Sequence, residues 1–482
     1  MLKASLQYHE LLTNKFARAG RKLAAHAPER WMRPISRAHE FRRRRFRGVR
    51  AEWTQLIRDS ERWTREQLEI YMFEQLRELL WHAYEYVPYY RSMFESLDAC
   101  PTDIQELNDL HLLPTLAKRT VQDRIGELLA TDIRPRHQVY STTAGSTGIP
   151  VGFFQHRDTA AKDWAFMTEQ WRRVGYEQGD RAAVLRGTVL RSDEIFERAP
   201  LENSLVMSSY HLTEDRLPLY VARLRDFRPA FLRAYPSSAT LLAQFILSSG
   251  ESPPEGMKAV LCGSENLYPW QRQQIVEAFG CRVFSWYGQS ERVCLAGECE
   301  FDTRLHIFPQ YGITELLDED GEPIREAGRL GEVVATGLLN PAMPLIRYRT
   351  GDVASMGNGF CNECGRPYDL IERVEGRLQE FIVSRSGRYV SMTAINMHSP
   401  VFDNVYQFRF RQNAPGRVML LVVPKGGYEK VRDEPAIRME LAPKLGPDFD
   451  LDIEVVDQIP RTGRGKFRFL DQELPGPFTA AS

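Results

Sequence analysis

The chain has 482 residues, 43% of them hydrophobic and 11% aromatic. That is too long for one small module and too apolar for a mainly disordered protein, and it predicts roughly two to four folding units. Sixty-three basic residues against sixty-four acidic ones leave a formal charge of −1, so no molecule-wide positive field gathers nucleic acid and an anionic ligand needs a local site.

The opening stretch from Met1 to Glu10 has no apolar signal core, and no later apolar run nears the roughly 18 residues of a membrane span. A cytoplasmic protein is the expectation. Residues 1 to about 100 place apolar and charged side chains at helical spacing, as in Leu68 to Leu80, with Pro88 as a stop. The basic block Phe41 to Arg47 in this region reads as a solvated helix face or as a contact for an anionic partner or membrane surface.

From about residue 180 to 290, short apolar runs (Ala182 to Leu185, Ala230 to Arg233, Ala259 to Cys262, Val283 to Trp286) alternate with helical stretches such as Ser238 to Ser248 and Pro269 to Phe279. Strand, helix, strand at this spacing predicts crossovers and a largely parallel sheet. In such sheets ligands sit at the carboxyl ends of the strands, which draws attention to Gly263 to Asn266 and Tyr287 to Glu291. Gly312 to Leu317, Asp318 to Gly321 and Gly331 to Thr336 read as strand, turn, strand, and predict an antiparallel subdomain. Beyond Arg377 come hairpins at Phe381 to Ser391 and Val405 to Val423, a helix around Ala436 to Lys444 and a last strand at Ile453 to Val456. These make a separate small α+β domain. The fold class is therefore α/β, with a large domain over 1–377 (1–100 a helical, basic extension) and a small lid domain over 378–482.

Ser141 to Pro150 packs hydroxyls and two glycines into a short turn ahead of Val151 to Phe154. Glycines let backbone N–H groups close around an anion, and Ser or Thr hydroxyls add donors. The pattern lacks the lysine of a Walker A loop, so a P-loop NTPase is excluded. Near the end, Ile459 to Arg468 places Lys466 behind a glycine-rich turn, from which a positive charge can be brought to a phosphoryl group. Between these loops lie Tyr348 to Asp352 and Glu375 to Arg377.

Together with Gly263 to Asn266 and Tyr287 to Glu291, and taken in chain order, these motifs resemble those of the adenylate-forming superfamily of acyl-CoA synthetases and adenylation domains. Within it the chain resembles the phenylacetate-CoA ligase branch and its capsule-biosynthesis-type relatives, which carry a longer helical N-terminus. The resemblance spans residues 141 to 468. It implies that Thr143, Gly145, Ser146, Thr147 and Gly148 hold the ATP phosphates. Gly263, Ser264 and Glu265 lie near adenine, with Tyr287 against the base and Gly288 beside it. Glu291 helps to hold Mg²⁺, Asp352 takes the ribose hydroxyls, Arg377 meets the ribose and phosphate, and Lys466 stabilises the adenylation transition state. It also implies a small domain that is mobile, rotating between half-reactions about a hinge at Gln379, where many relatives have Asp or Lys. Ile149 departs from the pattern too, since lysine is common there.

Cys361 and Cys364 form a C-x-x-C knuckle, with Cys299 and His306 upstream. Three thiolates and an imidazole suit a closed structural zinc site, with Cys294 as the alternative to His306, whereas a redox role lacks a thioredoxin-like context. Cys100, Cys262 and Cys281 read as small packed residues, and His137 and His156 as structural or surface residues flanking the Ser/Thr/Gly loop. The expected activity is ATP- and Mg²⁺-dependent conversion of a small carboxylic acid to an acyl-adenylate, with acyl transfer to CoA. An amine acceptor, as in an amide-forming ligase, and a non-catalytic nucleotide- or partner-binding homologue are the competing readings.

Overall fold

The computed structural model describes residues 46–142, 151–188, 190, 194–377, 381–392, 395, 400–462 and 466–474. The expectations placed on Phe41 to Arg45, on Thr143, Gly145, Ser146, Thr147, Gly148 and Ile149, and on Gln379 lie outside them. No helix among the described residues is long and apolar enough to cross a membrane.

The N-terminal helices α1 (Arg47–Ser60), α2 (Arg65–Tyr86) and α3 (Pro88–Ser96) follow the apolar periodicity. A reciprocal Thr64–Gln67 capping box starts α2, and the residue before Pro88 is extended, as that position requires. Leu76, Leu80, Ala83 and Phe94 bury themselves with Ile346 and Tyr348. These helices are thus an integral part of the large unit's core. After the short α4 (Lys118–Asp123), β1 (Gln138–Thr142) and β2 (Gly152–His156) make a separate antiparallel hairpin.

Helix α5 (Thr159–Arg172) leads into a twelve-stranded sheet. Its first strands are β3 (Ala182–Leu185), β4 (Phe196–Ala199) and β5 (Ser204–Met207). Helix α6 (Leu217–Phe227), β6 (Phe231–Ala234), α7 (Pro236–Ser249), β7 (Ala259–Gly263), α8 (Pro269–Phe279) and β8 (Arg282–Gly288) follow. The order β5-β3-β6-β7-β8 is parallel throughout, as the alternation of strands and helices predicts.

Side chains alternate between the two faces of this block. Leu232, Val260, Cys262 and Val283 pack with α6, α7 and α8, while Phe231, Leu261 and Phe284 meet Phe166 and Trp171 of α5 and Ile57 of α1.

The remaining strands are β9 (Leu295–Gly297), β10 (Leu305–Ile307), β11 (Gly312–Leu317), β12 (Leu330–Gly337), β13 (Tyr348–Met356) and β14 (Leu370–Arg377). They are antiparallel, but they do not form a detached subdomain. The connection from β8 is too short for a crossover, so β9 folds back beside β8 with Trp286 opposite Gly297, and the sheet continues through β10, β14, β13, β12 and β11.

The small C-terminal unit has a two-stranded ribbon, β15 (Phe381–Val383) with β16 (Tyr389–Ser391), and the hairpin β17 (Val405–Ala414) with β18 (Arg417–Pro424). Helix α9 (Lys430–Leu445) and β19 (Asp450–Val455) follow. The strand expected to be last is not: β20 (Leu470–Gln472) comes after it and pairs parallel with β17. Only three residues long, it carries no alternating pattern to read.

Buried Arg347 ties the N-terminal connection to the sheet. Its guanidinium bonds both oxygens of Glu315 at 2.9 and 3.0 Å and also the carbonyls of His111 and Leu113. Arg347→Ala strands a carboxylate and two carbonyls. A loss of about 3–5 kcal/mol is expected, measured as a lower urea midpoint at unchanged slope.

Candidate functional site

A cleft of about 1260 Å³ opens at the carboxyl ends of β7 and β8, the position expected for a parallel sheet. Ser264, Glu265, Tyr287, Gly288, Glu291, Asp352 and Lys466 all line it. Stretches far apart in sequence therefore share one wall.

Gly263 closes β7 where a Cβ would lie 2.5 Å from the Trp286 ring. Its small size lets that ring pack over the strand end. Ser264 takes left-handed backbone angles, φ 72°, unusual for a residue with a side chain. This turns its carbonyl toward Lys466, whose Nζ donates to it at 2.8 Å, while its hydroxyl accepts from Arg186 at 2.5 Å. Glu265 accepts from the backbone N–H groups of Ser237 and Phe467, at 3.1 and 2.9 Å.

The hydroxyl of Tyr287 donates to Asp352 at 2.8 Å. Burial, then the Asp352 charge, holds the phenol well above its usual range, so it stays a donor. Tyr348 donates to Glu291 at 2.8 Å, both being buried. Asp352 faces Arg377 across the β13–β14 ladder, which puts the Arg377 backbone at the site.

Sequence reading missed several cleft residues. Lys118 reaches the Thr350 carbonyl inside the Tyr348 to Asp352 motif, and Arg186, Arg233, Trp164 and Trp171 line the cleft as well. None belongs to a local motif. Only the outward half of the strand alternation at 184, 186 and 233 carries a signal. His137 and His156 stack edge-on, 5.9 Å apart, and are absent from the cleft lining.

Lys466 belongs to the small unit, which docks through apolar rings. Tyr268 and Trp270 of the large unit pack on Phe469, with centroids 5.4 and 6.3 Å away. The Tyr406 hydroxyl donates to the Leu212 carbonyl at 2.9 Å.

Cys299, His306, Cys361 and Cys364 form a second cluster, their donor atoms all within 4.8 Å of one another. His306 and not Cys294 completes it. Cys294 instead packs in the large core and accepts from the Thr314 hydroxyl at 3.3 Å. A tetrahedral ion with bonds of about 2.0–2.3 Å separates its donors by about 3.3–3.8 Å, close to the 3.3 Å between Cys364 Sγ and His306 Nε2. His306 Nδ1 lies 3.1 Å from the Arg304 carbonyl, a bond that leaves Nε2 as the ligating lone pair. Backbone N–H groups of Phe301 and Asp302 donate to Cys299 Sγ. Burial pushes the Cys364 thiol up, but hydrogen bonds to His306 and Arg366 hold it at about 6, which favours thiolate. The chemistry of this donor set fits zinc. Gly365, with φ 69°, turns the knuckle so that its N–H reaches the Cys361 carbonyl. Of the remaining cysteines, Cys262 is buried and Cys100 and Cys281 are half-buried.

The fold matches solved adenylate-forming enzymes. A 2-hydroxyisobutyryl-CoA ligase in the postadenylation state aligns with TM-score 0.66 and 18% identity over 84% of this chain and 89% of that one. The same ligase in the thioesterification state gives 0.53. The fold is thus that of adenylate-forming enzymes. Its sequence relatives include phenylacetate-CoA ligases and CapK. The phenylacetate-coenzyme A ligase of Thermus thermophilus is 27% identical, over 84% of this chain and 96% of the relative. Protein CapK of Staphylococcus aureus is 24% identical, over 75% and 80%. Residues 382–473 match the CapK C-terminal domain family.

Proposed function

We propose that the protein activates a carboxylic acid with ATP and passes the acyl group to CoA. One observation carries this reading: Lys466 of the small unit meets the Ser264 carbonyl in the same cleft wall as Tyr287, Glu291 and Asp352. The relatives named phenylacetate-coenzyme A ligase support it.

In the first step a carboxylate oxygen bonds to the α-phosphorus and the α–β bridging P–O bond breaks. Pyrophosphate leaves with that electron pair. In the second, the CoA thiolate bonds to the acyl carbon and AMP departs. Two anions meet in the first step, so the site must supply fixed positive charge. Lys466 provides one ammonium. Tyr287 and Asp352 would hold the nucleoside, Asp352 accepting from ribose hydroxyls, and Arg377 would sit beside them. Thr143, Gly145, Ser146, Thr147 and Gly148 would close on the phosphates. Glu291, a hard carboxylate donor, would hold Mg²⁺, which supplies charge neutralisation at the phosphates when bound. Gln379 would serve as the pivot of the small domain. None of the four residues of the Cys/His cluster lines the cleft, so zinc there would brace the loops before β10 and β14 and leave no position for water.

Pyrophosphate release across a panel of acids, with CoA and then with amines added, tests the reading. Acid-dependent release followed by CoA consumption is expected. Release without CoA consumption but with amide formation would replace the acceptor, and no release with any acid would end the proposal. Asp352→Asn is expected to lower kcat/KM for ATP about 10- to 100-fold, the worth of a charged hydrogen bond. Steady-state kinetics with ATP varied checks this.

A further inference from the structure

The cleft lining holds two further cations with no part in the proposed chemistry, Arg186 beside Ser264 and Arg233 on the neighbouring strand. On β3, positions 182, 184 and, just past its end, 186 face α5; on β6, positions 231 and 233 do. Arg186 and Arg233 thereby line one end of the cleft. The Arg233 guanidinium lies 4.7 Å from the Trp171 ring centroid and 5.3 Å from that of Trp164. Arg186 lies 5.4 Å from Trp286 and 5.6 Å from Tyr235.

Neither forms a close ion pair with a carboxylate among the described residues, although Glu265 attracts Arg186 and Glu202 attracts Arg233 from farther off. Arg186 bonds the Ser264 hydroxyl, and Arg233 Nε is buried with no hydrogen-bond partner among the described residues. Acidic groups in the same lining are engaged elsewhere: Glu298 pairs with Arg272, Asp163 with Arg292 and Tyr311, and Glu265 with backbone N–H groups. Burial, followed by repulsion from Arg186, pushes Arg233 down to about 10. Burial lowers Arg186 as well. Stacking on aromatic faces returns only part of the hydration that a half-buried guanidinium gives up. Two such groups side by side are a receptor for an anion.

We infer that the acid activated in this cleft carries a second anionic group, received by Arg186 and Arg233, with Trp164, Trp171 and Trp286 walling the carbon skeleton. The substrate class is a dicarboxylic acid or an acid bearing another anion at its far end. This rests on the adenylation reading and specifies its substrate. An acid with an apolar far end would leave both guanidiniums partly desolvated and without an anionic partner, a penalty that selects against it.

The test uses matched acids: phenylacetate against 4-carboxyphenylacetate and 4-sulfophenylacetate, and pentanoate against glutarate. Binding is measured by calorimetry with α,β-methylene ATP present, and turnover by pyrophosphate release with ATP. Dianionic acids are expected to bind and turn over about 10- to 100-fold better than their monoanionic matches. The sulfonate arm shows whether any anion or only carboxylate is taken. Arg233→Met is expected to collapse the ratio toward one, and Arg233→Lys to keep part of it. A merely structural arginine would lower both members of a pair equally. Equal loss, or a wild-type preference for the monoanionic acid, overturns the inference. If no acid releases pyrophosphate, the adenylation reading fails, and the calorimetric ratio still decides this one.

Discussion

Lys466→Ala lowers pyrophosphate release about 10²- to 10³-fold, the usual cost of removing one fixed donor from a site of developing charge. The effect is expected in kcat. Lys466 is the cation that the small unit delivers to the cleft, where its Nζ donates to the Ser264 carbonyl. The substitution is local. Phe467 still bonds Glu265 through its backbone, Phe469 still packs on Tyr268 and Trp270, and Thr462 still bonds the residue 466 backbone. Melting temperature and ATP affinity should therefore stay close to wild type while the rate falls. A variant that releases pyrophosphate as fast as wild type removes Lys466 from the chemistry.

Removing metal from the Cys/His cluster is expected to have the second large effect, on stability. Purified protein should carry about one equivalent of zinc. A site filled at about 1,000 times its Kd contributes about 4 kcal/mol, because only the folded chain brings residues 299, 306, 361 and 364 together. The loops it joins are also held by Arg366, which pairs with Glu300 at 2.7 Å and with Glu61 at 2.9 Å. Loss of metal should thus loosen the loops without unfolding the sheet. A chelator, or Cys361→Ser, should lower the melting temperature and expose thiols to a titrant, with Cys294→Ser as the contrast that keeps the metal. Less than a tenth of an equivalent of zinc by metal analysis, with the cluster thiols free, defeats the assignment.

Much of the fold was legible locally. Ala182 to Leu185, Pro269 to Phe279 and Gly312 to Leu317 form the predicted elements at the predicted bounds, since strand and helix periods are written in the side chains that each face must bury. The ordered motifs marked one wall of the cleft for the same reason: tight turns and left-handed or close-packed positions restrict residue type wherever they occur. The fusion of the antiparallel strands into the main sheet was not legible, because strand pairing depends on which connections are short enough to fold back.

The sequence by itself determined the elements, the motif residues and the candidate metal donors. Tertiary structure alone decided that His306 and not Cys294 meets the knuckle, that Lys118 reaches the Thr350 carbonyl, and that Arg186 and Arg233 share a cleft end with three tryptophans. Spacing along a chain fixes which way a side chain points from its own element. Which neighbour it then meets is set by sheet order, register and the docking of a second unit, and those are properties of the whole packed molecule.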